Sequence, residues 1–148
     1  MDLSGLKWPL IVVVVVGVGW LFTSGGVNWM QSRVMAHTPG VDANQDKLDE
    51  AMLSRLGGYM QLMWRYQKAV ELLEASCERY PGGENYWYNV YRLQTCYERM
   101  GQADRAIELL DYLIAEGASQ YDKRVPENDN LSLRANKLRE TFELGETT

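Results

Sequence analysis

Hydrophobic residues form one long uninterrupted stretch near the beginning of the chain. The 25 positions of residues 8–32 contain no charged side chain, and residues 9–22 are almost entirely apolar. A strand in a globular core needs about four to eight residues, whereas a helix needs roughly 20 to cross the hydrocarbon of a bilayer. In lipid every backbone amide must be bonded within its own segment, so a valine-rich stretch of this length is helical. The pattern predicts a single transmembrane helix over residues 7–30.

Two tryptophans flank this stretch. Trp8 and Trp29 are 21 residues apart, which corresponds to about 32 Å along a helix and matches the bilayer core. Indole rings favour the membrane interfaces, so both are predicted to lie there. A cleavable signal peptide is the alternative, but it would end in a site of small residues. Here Thr23 and the glycines after it lead into apolar Val27 and Met30, which favours an uncut anchor.

The flanking charges give a slight orientation bias. Lys7 precedes the apolar stretch and Arg33 follows it alone, which favours a cytoplasmic tail over residues 1–6 and a carboxyl-terminal domain outside the cytoplasm. Residues 31–44 have no amphipathic period and contain a Pro-Gly turn signal, so we expect a tether. Asn44 or Asp46 is predicted to cap the helix that follows.

Beyond the tether, apolar residues recur with a helical period in two matching segments. In each segment the period runs for about 13 residues, breaks, and resumes for about 14. Leu56 precedes Ala69 by 13 positions, and Leu93 precedes Ala106 by the same 13. A shared internal spacing of this kind predicts two helical hairpins over residues 45–117.

These residues resemble the tetratricopeptide (TPR) repeat. That family has a large residue, then Leu-Gly, an aromatic, a small residue where the helices cross, and a proline stop. The matching residues are Leu53, Leu56, Gly57, Met60, Ala69, Leu73 and Pro81 in the first segment, and Val90, Leu93, Tyr97, Gly101, Ala106, Leu110 and Leu113 in the second. Met60 replaces the aromatic residue, Gln94 replaces the glycine, and the offset is 37 residues rather than about 34.

A last amphipathic segment follows a polar loop. Leu131, Ala135, Leu138 and Phe142 form a single apolar stripe, which is typical of the capping helix that helical repeat stacks require for solubility. The predicted fold class is therefore all-α, with one N-terminal transmembrane helix, two TPR-like repeats and a C-terminal capping helix. The predicted segments are a tail (1–6), the transmembrane helix (7–30), the tether (31–44), the repeats (45–117), the loop (118–129), and the capping helix and tail (130–148).

Composition restricts the chemistry. The net charge is −5, and there are one histidine and two cysteines. An acidic chain without basic clusters argues against nucleic acid and against anionic lipid headgroups as partners. So few histidines and cysteines leave little material for a metal site or a nucleophile–base pair. We therefore predict no enzyme activity, no cofactor, no metal and no small-molecule substrate.

The resemblance implies a concave face, made by the first helix of each pair, that holds peptides or partner proteins. In the second unit it assigns Tyr88, Tyr91, Thr95, Glu98 and Arg99 to this face. Trp87 is a further candidate, because four aromatics within six residues cannot all enter a small core and exposed aromatics are common interface anchors. The alternative is that Trp87 and Tyr91 fill the seam between the repeats.

The two cysteines lie on neighbouring predicted helices. Outside the cytoplasm Cys77 and Cys96 are candidates for a disulfide, although sequence alone does not supply the distance between their Cα atoms. The alternative is that both are small buried apolar residues.

Two repeats are fewer than the three usually needed to bury a continuous core, so either the capping helix suffices or another protein stabilises the domain. We predict a membrane-anchored protein–protein interaction module, an accessory or scaffold subunit of a larger membrane complex. Its partners would be the lipid bilayer and other subunits, contacted through the groove and the transmembrane helix. The alternative is an assembly factor or chaperone, similar to the anchored repeat proteins that assist secretion or cytochrome maturation in bacterial envelopes. This similarity implies a bacterial inner-membrane location with a periplasmic domain.

Overall fold

The computed structural model describes residues 4–21 and 23–146, and within them it contains seven α-helices and no strand. The predicted all-α class is confirmed for this part of the chain. Residues 1–3 of the predicted tail, Phe22 of the predicted membrane helix and residues 147–148 of the last segment lie outside the described residues. The helices are α1 (Ser4–Leu21), α2 (Ser24–Met35), α3 (Ala43–Leu62), α4 (Tyr66–Arg79), α5 (Tyr86–Arg99), α6 (Ala103–Ala115) and α7 (Asn128–Glu146).

The chain divides into two units, Met1–Thr38 and Pro39–Thr148. In the first unit, two helices stand where the sequence predicts one continuous helix over residues 7–30. Thr23 is the N-cap of α2: its hydroxyl donates to Trp20 O at 2.6 Å and accepts from Gly26 N at 3.5 Å. A capping threonine followed by Gly25 and Gly26 favours a new helix start over an uninterrupted helix, because glycine disfavours the helix interior. The hydropathy and charge patterns of the sequence do not reveal this helix start.

No single helix among the described residues is both long and apolar enough to cross a bilayer. Lys7–Trp20 and Ser24–Met35 meet the requirement of length and composition only as a pair, and they are bent by 72°. All side chains described in α1, those of residues 7–20, are exposed to solvent.

In the second unit, α3 and α4 form a first hairpin and α5 and α6 a second one. Each helix from α3 to α6 packs on the helix that follows it. Ala69 and Ala106 are completely buried, as expected for small residues where helices lie close together. The second hairpin and α7 share a core that consists of Val90, Leu110, Leu113, Ala118, Val125, Leu131 and Ala135.

The cap of α3 differs from the prediction. Asp42, rather than Asn44 or Asp46, is the N-cap, and its carboxylate accepts from Asn44 N at 2.9 Å and Gln45 N at 3.3 Å. Asp46 lies within the first turn and accepts from Gly40 N at 2.9 Å. Asp and Asn are both good capping residues and Asp42, Asn44 and Asp46 lie close together, so the sequence indicates the region of the helix start but not the residue.

The turns inside the two hairpins have the same backbone hydrogen bonds, displaced by 37 residues. Trp64 N donates to Gln61 O at 3.1 Å, as Gly101 N does to Glu98 O at 3.1 Å. The next amide, of Arg65 or Gln102, donates five residues back at 2.9 Å in both turns. The φ angle is +57° at Trp64 and +75° at Gly101. The same left-handed position therefore holds a tryptophan in one turn and a glycine in the other.

Candidate partner-binding surface

Helix α5 carries most of the predicted site residues and distributes its aromatic side chains over two environments. Its buried face includes Asn89, Val90 and Leu93, which fixes the helix between α4 and α6. Tyr88 and Tyr91 are half-buried to one side of this face. They lie three residues apart, so they are neighbours on the helix surface.

The ring of Tyr88 lies between two guanidinium groups. Arg92 Cζ is 4.1 Å and Arg124 Cζ is 4.6 Å from the ring centroid, both within the range of cation–π attraction. Arg92 comes from the same helix, one turn on, whereas Arg124 comes from the loop before α7. The structure therefore orders Tyr88 from both sides.

Each of these two arginines is held by further contacts. Arg124 binds the Asp122 carboxylate, with Nε to Oδ1 at 2.9 Å and Nη2 to Oδ2 at 2.7 Å, and Nη1 donates to Asn85 Oδ1 at 2.9 Å. These bonds from Arg124 lower the pKa of Asp122, because they favour its charged form. Arg92 joins α5 to α3, since its Nη1 donates to Ser54 O at 3.1 Å.

Glycine makes room for the Arg92 side chain. A Cβ placed at Gly58 would lie 3.0 Å from Arg92 Cζ, closer than nine in ten real contacts of a Cβ atom. The absence of a side chain at Gly58 thus allows the guanidinium to lie against α3.

A second group forms where α7 contacts α5. Arg134 Nε and Nη2 both lie 2.7 Å from Glu98 Oε2, and Arg134 Nη1 donates to Tyr91 Oη at 3.2 Å. Gln94 Nε2 donates to the same Glu98 oxygen at 2.7 Å. The polar groups of Tyr91 and Glu98 are therefore occupied by a residue of α7. We refer to the whole set as the tyrosine–arginine surface, which consists of Tyr88, Tyr91, Arg92, Glu98, Arg124 and Arg134.

The remaining predicted residues of α5 lie in different surroundings. Thr95 Oγ1 donates to Tyr91 O at 3.2 Å, within its own helix. Arg99 is exposed at the end of α5. Trp87 belongs to an aromatic cluster: it meets Tyr86 edge-on at 5.1 Å, Tyr112 at 5.7 Å and Tyr121 in a stack at 5.8 Å between centroids. These ring contacts join Trp87 to α6 and to the segment after it rather than to the tyrosine–arginine surface.

The aromatic cluster is linked to the core. Tyr86, Trp87 and Tyr91 all pack partly against the core of the second hairpin and α7. The hydroxyls of Tyr86 and Tyr112 are 3.2 Å apart, and burial together with this bond raises the pKa of Tyr86. Tyr121 is 71% exposed and forms the open side of the cluster.

A buried polar chain holds α5 against the first hairpin. Asn89 Oδ1 accepts from Ser54 Oγ at 2.7 Å, and Asn89 Nδ2 donates to Ser76 Oγ at 3.2 Å. All three residues are buried, and such groups are costly to bury without partners. Sequence reasoning missed this chain and the arginines of the surface. The signal for Asn89 was a polar residue on the apolar face of an amphipathic helix.

Cys77 and Cys96, the candidates for a disulfide, are free thiols in the structure. Burial raises the pKa of the Cys77 thiol to about 12 and that of Cys96 to about 11. Cys77 also lies near Glu50 and Glu74, whose negative charges disfavour its thiolate. Both are thus weak nucleophiles at neutral pH.

The acidic and sulfur-bearing side chains do not assemble into a metal site in the part of the chain that the structure describes. Among those residues, no group of three or more His, Cys, Asp or Glu side chains is placed to hold a metal ion. A pocket of about 430 Å³ lies beside Glu50 and Tyr80. The Glu50 carboxylate accepts from Asn85 N at 2.9 Å and from Asn85 Nδ2 at 2.8 Å, so it serves to fix the start of α5.

The predicted membrane-interface tryptophans lie on different helices. Trp8 is in α1 and 75% exposed, and Trp29 is in α2 and 50% exposed. The separation of about 32 Å expected for Trp8 and Trp29 along one straight helix therefore does not apply to them. Trp29 instead lies near Trp20, with ring centroids 6.4 Å apart, and Arg33 Cζ is 5.9 Å from the Trp29 centroid.

Comparison of the chain with protein-family models, with curated proteins and with solved structures found no match.

Proposed function

We propose that this chain is a membrane-anchored protein-interaction module, an accessory or scaffold subunit of a larger membrane complex. The observation that carries the proposal is the surface of α1. Every side chain from Trp8 to Trp20 is exposed and none is charged. Exposed apolar area costs about 25 cal/mol per Å² in water, and contiguous patches of this size mark membrane or protein contacts.

The two helices of the first unit are compatible with a lipid environment only together, since they meet the length and composition that a bilayer crossing requires only as a pair. The 18 residues of α1 extend for about 27 Å and include Lys7, so they fall short of the roughly 30 Å hydrocarbon thickness of a bilayer. In the proposal α1 enters the hydrocarbon and α2 continues the anchor into the interface. Trp29 and Arg33 of α2 suit that region, because indole rings and basic residues favour the headgroups.

For the second unit we propose TPR-like repeats that hold a partner. Two observations support this proposal. The same turn hydrogen bonds recur 37 residues apart, and Ala69 and Ala106 are both fully buried. Arg92 and Arg134 link α5 to α3 and to α7, so the side chains of this face are ordered before any partner arrives. Preorganised surfaces lose less conformational entropy on binding.

The proposed contact point is Tyr88. Tyrosine and arginine are enriched among the residues that dominate interface energies. Tyr88 is held between two arginines that are themselves bonded to Asp122 and Ser54. Tyr91 and Glu98 are bonded to Arg134 of α7 rather than offering free groups to a partner.

The test is purification of the full chain from its native membranes in mild detergent, with mass spectrometry of the retained proteins. The change is Tyr88→Ala, and the matched control is Tyr121→Ala, an exposed tyrosine of the aromatic cluster. We expect one or more proteins retained in fixed proportion by the parent chain and the control, and lost with Tyr88→Ala. Recovery of a lone monomer, or equal retention by all three chains, would refute the proposal.

A further inference from the structure

Three consecutive large apolar side chains are exposed at the turn between α3 and α4. Leu62 is 79%, Met63 54% and Trp64 80% exposed. We refer to Leu62, Met63 and Trp64 as the apolar tip. Exposed single apolar residues are common, but three in sequence on one turn form a contiguous patch of the kind that marks a contact surface.

The backbone conformation at Trp64 does not require a large side chain, since glycine has the same conformation in the second hairpin. Trp64 has a left-handed φ of +57°, and it is the one non-glycine residue with a positive φ among those described. Gly101 occupies the equivalent place in the second hairpin, with the same hydrogen bonds. A bulky side chain in this conformation is strained. Because Trp64 is mostly exposed, packing within the described chain does not offset that strain.

The charge around the tip differs from that of the chain as a whole. Residues 51–70 contain Arg55, Arg65 and Lys68 and no acidic residue, whereas the net charge of the chain is −5. Lys68 also forms an ion pair at 2.9 Å with Glu71, at the edge of this segment. With the bordering Glu50 and Glu71 included, residues 50–71 carry three basic and two acidic side chains, a net charge of +1 around the tip.

We propose that the apolar tip inserts into the headgroup region of an anionic bilayer. Tryptophan favours that region, and apolar side chains flanked by basic residues are the combination that binds anionic lipid surfaces. Three side chains are far too few for a stable protein interface, which buries about 800 Å² on each partner. A lipid surface has no such minimum. The proposal rests on the membrane location proposed above, and it assigns one end of the first hairpin to the lipid surface.

The test uses the full chain in vesicles of phosphatidylcholine, with and without phosphatidylglycerol. In a Cys77→Ala, Cys96→Ala background, Met63→Cys carries a fluorescent label beside the intact Trp64. The matched control carries the same label at Gln102→Cys, an exposed position in the equivalent turn of the second hairpin. Quenching is measured with aqueous acrylamide and with nitroxide-labelled lipid.

We expect the label at position 63 to be quenched several-fold less by acrylamide, and more by the lipid nitroxide, than the label at position 102. This difference should be largest with phosphatidylglycerol and should disappear when Trp64→Gly is added. The glycine variant should remain folded, as circular dichroism can verify, because glycine already fills the equivalent place in the second hairpin.

Equal quenching at the two positions would overturn the proposal. Protection that grows with the ratio of protein to lipid and ignores phosphatidylglycerol would assign the tip to a second copy of the chain, and would overturn it as well. Flotation of the same samples through a density gradient after a carbonate wash separates the two proposals. If the chain floats with the vesicles but the label at position 63 is unprotected, the anchor proposal stands and the tip proposal fails. If the label is protected but carbonate removes the chain from the vesicles, the tip proposal stands and the anchor proposal fails.

Discussion

At the scale of single residues, each hairpin turn contains one residue with a left-handed backbone conformation. The two residues at this position, Gly101 and Trp64, differ in how well they suit that conformation. Gly101 meets that position without strain, and a Cβ placed there would have nothing within 4 Å. Trp64 takes the same conformation with a large side chain that is 80% exposed. The first hairpin therefore carries a strain that the second one avoids.

The two positions should respond in opposite directions to substitution. We expect Trp64→Gly to raise the free energy of unfolding by about 1 kcal/mol and Gly101→Ala to lower it by about the same amount, because left-handed φ favours glycine. Urea unfolding in mild detergent, followed by circular dichroism, measures both. A lower free energy of unfolding for Trp64→Gly would contradict this prediction. It would show that contacts of the indole in the folded state offset the backbone strain at this turn.

At the scale of elements, α7 is fixed to α5 by one well-bonded arginine and to α6 by apolar packing. Arg134 shares its guanidinium between Glu98 and Tyr91, and the side chains of Arg134 and Glu98 are 32% and 28% exposed. The same helix offers a comparison. Arg139 pairs with Asp111 of α6 at 2.6 Å, but those side chains are 40% and 51% exposed.

A double-mutant cycle should separate these two pairs. We expect a coupling free energy of about 1–2 kcal/mol for Arg134→Ala with Glu98→Ala, since partly buried charge-assisted bonds are the stronger ones. For Arg139→Ala with Asp111→Ala we expect about 0.5 kcal/mol or less, as is usual for exposed pairs. Urea unfolding of the single and double variants gives both values. Equal couplings would mean that Arg134 does not fix α7 in place.

The elements also show what a sequence can and cannot predict. The recurrence of Leu131, Ala135 and Leu138 indicated a helix over 130–148, and the structure has α7 at Asn128–Glu146. Apolar periodicity is local, so the all-α class followed from it. The break between α1 and α2 did not, because it depends on the Thr23 cap and the glycines after it rather than on hydropathy.

The candidate surface was only partly predictable for a related reason. Spacing along α5 placed Tyr88 and Tyr91 on neighbouring positions, as the 3.6-residue period requires. It gave no sign of Arg124 and Arg134, which arrive from the loop and from α7. It also grouped Trp87 with these tyrosines by proximity in sequence, whereas its ring packs with Tyr112 and Tyr121. Contacts between segments that are distant in sequence determine which side chains form such a surface. The sequence alone does not reveal these contacts.

At the scale of the whole molecule, the two units have opposite surface chemistry. Met1–Thr38 carries an exposed apolar helix, and Pro39–Thr148 is a helical stack with its own buried core. Burying one exposed valine side chain in an apolar medium is worth about 1.5–3 kcal/mol. The transfer of the valine run of α1 from water into lipid is therefore comparable with the whole stability of a typical domain, about 5–15 kcal/mol. This balance is the physical basis of the proposed anchor.

Carbonate extraction of membranes that contain the full chain tests the proposed anchor most directly. The parent chain and a control, Gln102→Arg, should remain in the membrane pellet. A Val13→Arg, Val15→Arg variant should move to the supernatant, because each arginine at the centre of a bilayer costs about 2.5–3.5 kcal/mol. Recovery of the parent chain in the supernatant would contradict a membrane-embedded α1.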